Sequence, residues 1–159
     1  YTYSHLGYNL KITDMQAACG LAQLGKAAQF VAQRKRNFAY LHARLKACEE
    51  FLILPCATEH ADPSWFGFPI TLRDNAPISR VDLLTYLDQN RVGTRLLFAG
   101  NLLRQPYMAG RKYRVSGTLE NTDTVMNNTF WIGVQPALTQ DMMDFAAARI
   151  TAYLGVDFE

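Results

Sequence analysis

Two stretches of the chain carry side chains that suit the binding of a phosphate or a sugar. The first is Tyr8-Asn9-Leu10-Lys11, where an amide and an ammonium group stand close together in a polar, aromatic loop. Both groups donate hydrogen bonds to anions. Thr13 is a suitable N-cap and Gln16 can complete a capping box, so a helix starting there would hold the loop at a fixed entry angle. The sequence therefore predicts an anion-binding loop in front of a rigid helix.

The second stretch starts at Thr94-Arg95 and continues to Tyr107. Arg95 lies at the end of a predicted strand, and a glycine-bearing loop with Asn101 and Arg104 follows. Guanidinium groups bind phosphate oxygens in a bidentate manner, and an amide can bind sugar hydroxyls. Residue chemistry alone leaves two interpretations open, a ligand-binding loop and a structural loop.

The other reactive side chains form no self-sufficient catalytic group. The histidines are far apart and lack a triad arrangement; they are His5, His42 and His60. The cysteines are odd in number and include no close pair, which argues against a disulfide framework and against a metal site within this chain; they are Cys19, Cys48 and Cys56. We expect Cys19 and Cys48 to lie on apolar helix faces, and a reducing, cytoplasmic compartment fits this cysteine usage best.

The composition is that of one globular domain. The chain has 159 residues, of which 49% are hydrophobic and 19% charged. A net charge of +2 gives no reason to expect a nucleic-acid partner. No apolar run approaches the ~20 residues that span a bilayer, and no signal peptide is recognisable. Because the chain begins without Met, we expect it to be a piece of a longer protein.

The elements that position these loops begin with a predicted helix over residues 13–47. Leu24, Val31, Phe38 and Leu45 recur every seven residues, which is typical of a coiled-coil stripe. Such a helix would be ~50 Å long, so part of its face should pack on a missing domain or on a second subunit. A bend near Gly25 that gives two ordinary helices is the alternative.

Short strands and covering helices make up the rest of the chain, residues 51–159. The strands are predicted at residues 51–54, 65–72, 92–97 and 130–134, and Pro69 indicates an edge position or a bulge in the second. The helices are predicted after Ser79, at 121–127, and at 140–154 after Thr139. Together these elements predict an α+β two-layer domain with a small, mostly antiparallel sheet.

Several motifs make the chain resemble the C-terminal part of the DegT/DnrJ/EryC1/StrS sugar aminotransferases. GYN at residues 7–9 and KITDMQAA at 11–18 carry the general likeness. PSWFGFPI at 63–70, GTRLLFAGNL at 93–102 with RQP at 104–106, and TFWIG at 129–133 resemble the CDP-4-keto-6-deoxyglucose 3-dehydrases within that superfamily. Ordinary aminotransferases of the group have His, Tyr and His where this chain has Leu97, Phe98 and Leu103, which favours the dehydrase branch.

The resemblance implies the aspartate-aminotransferase (type I) fold and a homodimer with active sites at the interface. It implies pyridoxamine 5′-phosphate (PMP, related to PLP) as cofactor and a [2Fe-2S] cluster that receives electrons from an iron-sulfur flavin reductase partner. The reaction would remove the 3-hydroxyl of a CDP-sugar in 3,6-dideoxyhexose and lipopolysaccharide O-antigen biosynthesis. The catalytic histidine and the cluster cysteines would lie upstream of Tyr1, so this fragment should hold no catalytic residue, no metal and no tightly bound cofactor, and should be inactive alone.

The resemblance also assigns roles to individual residues. Asn9 would reach the cofactor phosphate of the neighbouring subunit, and Arg95, Asn101 and Arg104 would lie on the sugar-nucleotide side of the site. Residues 1–12 would be an interface loop, 13–47 the long helix and 51–159 an α/β sandwich, with the large cofactor domain absent. Two alternatives stay open: a PLP-dependent nucleotide-sugar aminotransferase, and a non-catalytic dimerisation module.

Overall fold

A computed structural model describes residues 1–8 and 10–157, which form an α+β domain. The helices of this part are α1 (Asp14–Leu24), α2 (Ala27–Leu45), α3 (Arg80–Gln89), α4 (Glu120–Asn128) and α5 (Gln140–Leu154). The strands are β1 (Leu52–Ile53), β2 (Gly67–Leu72), β3 (Arg95–Leu96) and β4 (Thr129–Gly133). The predicted fold class is confirmed. All four predicted strands are present: β2 and β4 lie within about two residues of their expected bounds, and β1 and β3 are shorter than expected.

The strands form one antiparallel sheet in the order β1-β2-β4-β3. β2 and β4 are its centre and pair from Gly67 opposite Gly133 to Thr71 opposite Thr129. β1 pairs only with Thr71 and Leu72. Pro69 therefore has a strand neighbour on one side only, which confirms the expected edge position.

The core lies on one face of this sheet. Phe68 and Ile70 of β2 and Phe130 and Ile132 of β4 are buried, as the two-residue period of a half-buried strand requires. They form one cluster with buried residues of three covering helices, which include Leu41, Leu45, Leu83, Leu87, Ala147 and Ile150. Burial of each large side chain contributes about 1.5–3 kcal/mol. Phe66 falls within the strand predicted at residues 65–72 but precedes β2; its side chain is exposed and contacts the ring of Trp131.

The single helix predicted over residues 13–47 is wrong, and the alternative with a bend near Gly25 is confirmed. α1 ends at Leu24, Gly25 and Lys26 form a turn, and α2 begins at Ala27. Glycine within a helix costs about 1 kcal/mol relative to alanine. Packing does not offset this cost, since α1 contains no buried residue, whereas the second half of α2 buries Leu41 and Leu45.

The exposure of α1 also corrects the expectation for Cys19. Cys48 is buried, as expected for a small hydrophobic side chain, but Cys19 is exposed with the rest of α1. In the ranges 1–8 and 10–157, no helix is long and apolar enough to cross a membrane.

Candidate functional site

The loop that follows β3 lies against the N-terminal segment of the chain. A cleft of about 710 Å³ opens between them. Tyr3 and His5 line it from the N-terminal side, and Phe98, Leu102 and Tyr107 line it from the loop. A concave, mainly apolar space of this volume is typical of a small-molecule site. We refer to it as the aromatic cleft.

Gln105 holds the two walls of the aromatic cleft together. Its side chain is 4% exposed. Oε1 accepts a hydrogen bond from the backbone N–H of Tyr3 at 2.8 Å, and Nε2 donates to the carbonyls of Ala99 at 3.0 Å and Tyr1 at 3.3 Å. The N–H of Tyr107 also donates to the Tyr3 carbonyl. Our sequence assignment missed this residue as a site component, although the pair Gln105-Pro106 belonged to the motifs that carried the resemblance.

The backbone of the loop is constrained between Phe98 and Gly100. Phe98 has φ +46° and Gly100 has φ +64°. A Cβ atom at Gly100 would lie 2.5 Å from Cγ and 2.9 Å from Cα of Met126, so only glycine fits there. The left-handed conformation of Phe98 costs about 1–2 kcal/mol. Such strain occurs often at functional sites, and Phe98, which lines the cleft, is 67% exposed.

Asn101 and Arg104, two of the three predicted substrate ligands, meet at Asp123. Nδ2 of Asn101 donates to Oδ1 of Asp123 at 2.7 Å, and Nη2 of Arg104 donates to Oδ2 at 2.7 Å. Oδ1 of Asn101 also caps the short 3-10 helix Leu102–Arg104 by accepting from the N–H of Leu103. The hydrogen bond from Arg104, followed by that from Asn101, lowers the pKa of Asp123, and the bond to Asp123 raises the pKa of Arg104. Asn101 is buried, so its observed role is to shape the loop.

Arg95, the third predicted substrate ligand, lies on β3 just before this loop. It is exposed on β3 opposite Trp131, and its Nη1 donates to the carbonyl of Thr94 at 3.0 Å. The indole N–H of Trp131 donates to the Leu96 carbonyl and so fixes the end of β3. The Arg95 guanidinium thus contacts a neighbouring carbonyl and stays at the surface. Its role as a substrate ligand stays a prediction.

Arg80 stabilises the backbone that packs against the loop. This contact was not predicted from the sequence. Its Nη1 donates to the carbonyls of Met126 at 2.7 Å and Thr129 at 3.0 Å. Burial lowers the pKa of this guanidinium. Arg80 thereby fixes the junction of α4 and β4, which carries the Met126 side chain against Gly100.

The predicted phosphate ligand Asn9 lies outside the described residues. The helix start behind it is confirmed: the N–H of Thr13 donates to Oε1 of Gln16 at 2.9 Å, and the N–H of Gln16 donates to Oγ1 of Thr13. Among the residues that the structure describes, no three His, Cys, Asp or Glu side chains are grouped to hold a metal ion.

Comparisons with known proteins agree on one family. Residues 1–151 match the DegT/DnrJ/EryC1/StrS aminotransferase family. Lipopolysaccharide biosynthesis protein RfbH of Salmonella typhimurium is 61% identical over 158 residues, which are 99% of this chain and 36% of RfbH. The dTDP-4-dehydro-2,6-dideoxy-D-glucose 3-dehydratase of Saccharopolyspora spinosa is 45% identical over 154 residues, 97% of this chain and 33% of that protein.

A solved structure shows the same fold. E. coli GDP-4-keto-6-deoxy-D-mannose-3-dehydratase with bound hydrated PLP superimposes with a TM-score of 0.79 and 24% identity, over 90% of this chain and 36% of that one. The chain thus spans 33–36% of the length of these three proteins.

Proposed function

The chain belongs to the DegT/DnrJ/EryC1/StrS aminotransferase family, and from that premise we propose that it is the C-terminal part of a nucleotide-sugar 3-dehydratase. Its fold is that of the small C-terminal domain of aspartate-aminotransferase-like enzymes. The observation that carries the proposal is the 45% identity to a 3-dehydratase over 97% of the chain. Leucine and phenylalanine at positions 97, 98 and 103, where the aminotransferase pattern has two histidines and a tyrosine, support the same branch.

The finer proposal is that the substrate is CDP-4-keto-6-deoxyglucose. The reaction removes its 3-hydroxyl as a step towards a 3,6-dideoxyhexose of the lipopolysaccharide O-antigen, in the cytoplasm. The 61% identity to a lipopolysaccharide biosynthesis protein supports the proposed place of this step in lipopolysaccharide biosynthesis. The related 3-dehydratases named above act on dTDP- and GDP-linked sugars, whereas we propose a CDP-linked sugar for this chain.

We propose PMP as the cofactor of the whole enzyme, with a [2Fe-2S] cluster and an iron-sulfur flavin reductase as electron source. When bound, the cofactor supplies an electron-withdrawing ring that eases removal of a proton from the sugar. Among the described residues, no lysine or arginine lines the aromatic cleft. Asn9 is this chain's proposed contribution, through the cofactor phosphate of the neighbouring subunit.

The chain's own part in the reaction is to form a wall of the site. Tyr3, Phe98 and Tyr107 present rings to the aromatic cleft, where they exclude water, and Gln105 holds the walls at a fixed distance. We place Arg95, Asn101 and Arg104 on the sugar-nucleotide side. The exposure of Arg95 and Arg104 supports this placement, whereas Asn101 would act through its hydrogen bond to Asp123.

We also propose that the whole enzyme is a homodimer, and the apolar surface around α1 supports this. α1 has no buried residue, and large apolar side chains there are 58–93% exposed; they are Tyr8, Leu10, Ile12, Met15, Leu21 and Leu24. Exposed apolar side chains in this number indicate an interaction site. The large domain of the enzyme or a second subunit would cover it.

The identity of one upstream residue tests the proposal against its alternative within the family. Histidine at the position of the cofactor-binding lysine, with cysteines nearby, supports the 3-dehydratase. Lysine at that position indicates a PLP-dependent aminotransferase and contradicts our proposal.

A non-catalytic dimerisation module is the alternative from another class. It requires that Arg95→Ala leave turnover of the full-length protein unchanged. We expect Arg95→Ala to reduce turnover while the dimer, measured by light scattering, stays intact. Unchanged turnover would contradict a role for this loop in the site.

A further inference from the structure

The segment from Leu103 to Tyr113 forms a second cleft, of about 560 Å³, next to the aromatic cleft. Three cationic side chains line it, Arg104, Arg111 and Lys112, and no acidic side chain does. We call it the basic cleft. The proposed function leaves Arg111 and Lys112 without a role.

The positive charge of the basic cleft is only partly balanced. Arg104 forms an ion pair with Asp123. Within residues 1–8 and 10–157, Arg111 and Lys112 have no acidic partner. Nε of Arg111 donates to the Tyr107 carbonyl at 2.6 Å, and this bond anchors the guanidinium to the loop. Two uncompensated cations on a concave surface create a positive potential that attracts anions.

The shape of the basic cleft suits a small anionic ligand. Gly110 has φ +74°, and a Cβ atom there would meet nothing within 4 Å, so the backbone is open to close approach. Tyr113 is 53% exposed at the cleft and presents an aromatic face on which a base can stack. A guanidinium beside an ammonium matches the oxygens of phosphate groups. A concave space of this volume favours a small ligand over the flat surface of an acidic protein.

The residues that line the basic cleft follow directly in the chain on residues that line the aromatic cleft. Leu102 lines the aromatic cleft and Leu103 lines the basic cleft. Residues that are consecutive in one loop therefore contribute to both clefts.

We propose that the basic cleft binds the diphosphate of the nucleotide sugar through Arg111 and Lys112, with Tyr113 against the base. This inference rests on the proposed function and deepens it, because it names the part of the substrate that this chain recognises.

The test measures nucleotide binding to the full-length protein by calorimetry at low salt. CDP, dTDP, GDP and UDP are titrated, and the diphosphate that binds most tightly is compared with its nucleoside. In the double variant Arg111→Ala/Lys112→Ala we expect the Kd of that diphosphate to rise at least tenfold and its salt dependence to weaken. The Kd of the nucleoside should change less than twofold.

Matched variants separate this role from a general loss of charge or fold. Arg36→Ala/Lys46→Ala removes the same charge from exposed positions on and next to α2 and should leave the diphosphate Kd within twofold. Arg111→Lys/Lys112→Arg keeps both charges and should retain most of the affinity. An unchanged diphosphate Kd in a folded Arg111→Ala/Lys112→Ala variant would overturn the inference, as would failure of the wild type to bind any of the four diphosphates.

The dehydration assay separates failure of the inference from failure of the proposed function. A wild-type protein that binds a diphosphate through Arg111 and Lys112 but forms no 3-deoxy product supports the cleft and contradicts the proposed function. A wild-type protein that forms the product, with a diphosphate Kd that these residues do not affect, supports the proposed function and contradicts the cleft.

Discussion

Oε1 of Gln105 lies 2.8 Å from the backbone nitrogen of Tyr3, although 102 residues separate them in the chain. This bond ties the N-terminal segment, which precedes Asn9, to the loop that carries Asn101 and Arg104. The segment that leads to the first predicted stretch is therefore fixed to the second stretch at Tyr1 and Tyr3. Gln105, which the sequence did not offer as a ligand, makes this connection.

The first prediction concerns this connection. Gln105→Ala should lower the free energy of unfolding by about 1–3 kcal/mol, because the buried Ala99 carbonyl loses its donor. Hydrogen exchange of the Tyr3 amide should become faster. Gln89→Ala, on the exposed side of α3, is the matched control and should change neither quantity appreciably. Unchanged exchange at Tyr3 in the Gln105 variant would show that other contacts hold the segment.

The second prediction compares two glycines with positive φ. Gly100→Ala and Gly110→Ala should both cost about 1–2 kcal/mol for the left-handed conformation. Gly100→Ala should cost a further 1–3 kcal/mol or so, because its Cβ atom meets Met126, whereas the Gly110 position is open. Urea denaturation measures both variants. Equal losses for the two would contradict the close packing of the loop against α4.

The third prediction concerns pH. Because the pKa of Asp123 is lowered in the folded chain, its contribution to stability is fully present above the unfolded pKa of about 3.9 and is lost as the pH falls through the folded value. Asp123→Asn should therefore destabilise the chain at pH 7, and the difference from wild type should shrink as the pH falls below about 3.9.

Arg104→Gln removes the largest cause of the shift and should abolish most of the same pH dependence. Urea denaturation at several pH values measures both variants. A difference between wild type and Asp123→Asn that stays constant from pH 7 to strongly acidic conditions would contradict the ion pair.

The fourth prediction concerns thiol reactivity. Burial raises the pKa of the Cys48 thiol to about 11, whereas Cys19 and Cys56 are exposed. At pH 8 this pKa alone lowers the thiolate fraction by a factor of ~200 relative to an ordinary cysteine. In Cys19→Ser/Cys56→Ser, the remaining thiol should react with Ellman's reagent only after unfolding in guanidinium. Rapid reaction in the native chain would show that the site around Cys48 opens readily.

Much of the helical structure was predictable because helix caps are local. Thr13, Ser79 and Thr139 each accept a hydrogen bond from an N–H three residues further on, as their residue types indicated. α5 runs from residue 140 to 154 as predicted. The break at Gly25 was harder to predict, since it depends on whether tertiary packing offsets the cost of glycine, and the heptad pattern contains no information on that.

The candidate site was predictable only in its location. Asn101 offers the same donors to a sugar and to a carboxylate, and the carboxylate that it meets is 22 residues away on α4. The sequence shows no pairing between these two residues, because their approach depends on how α4 packs. The same holds for Gln105, whose three partners lie on two separate stretches of backbone.

Product identity tests most directly whether this chain completes a nucleotide-sugar 3-dehydratase. The measurement incubates the full-length protein with PMP, the reductase and CDP-4-keto-6-deoxyglucose, and identifies the product by NMR and mass spectrometry. We predict a sugar that has lost the oxygen at carbon 3. A sugar that keeps this oxygen and gains an amino group from an amino-acid donor would contradict the proposed function.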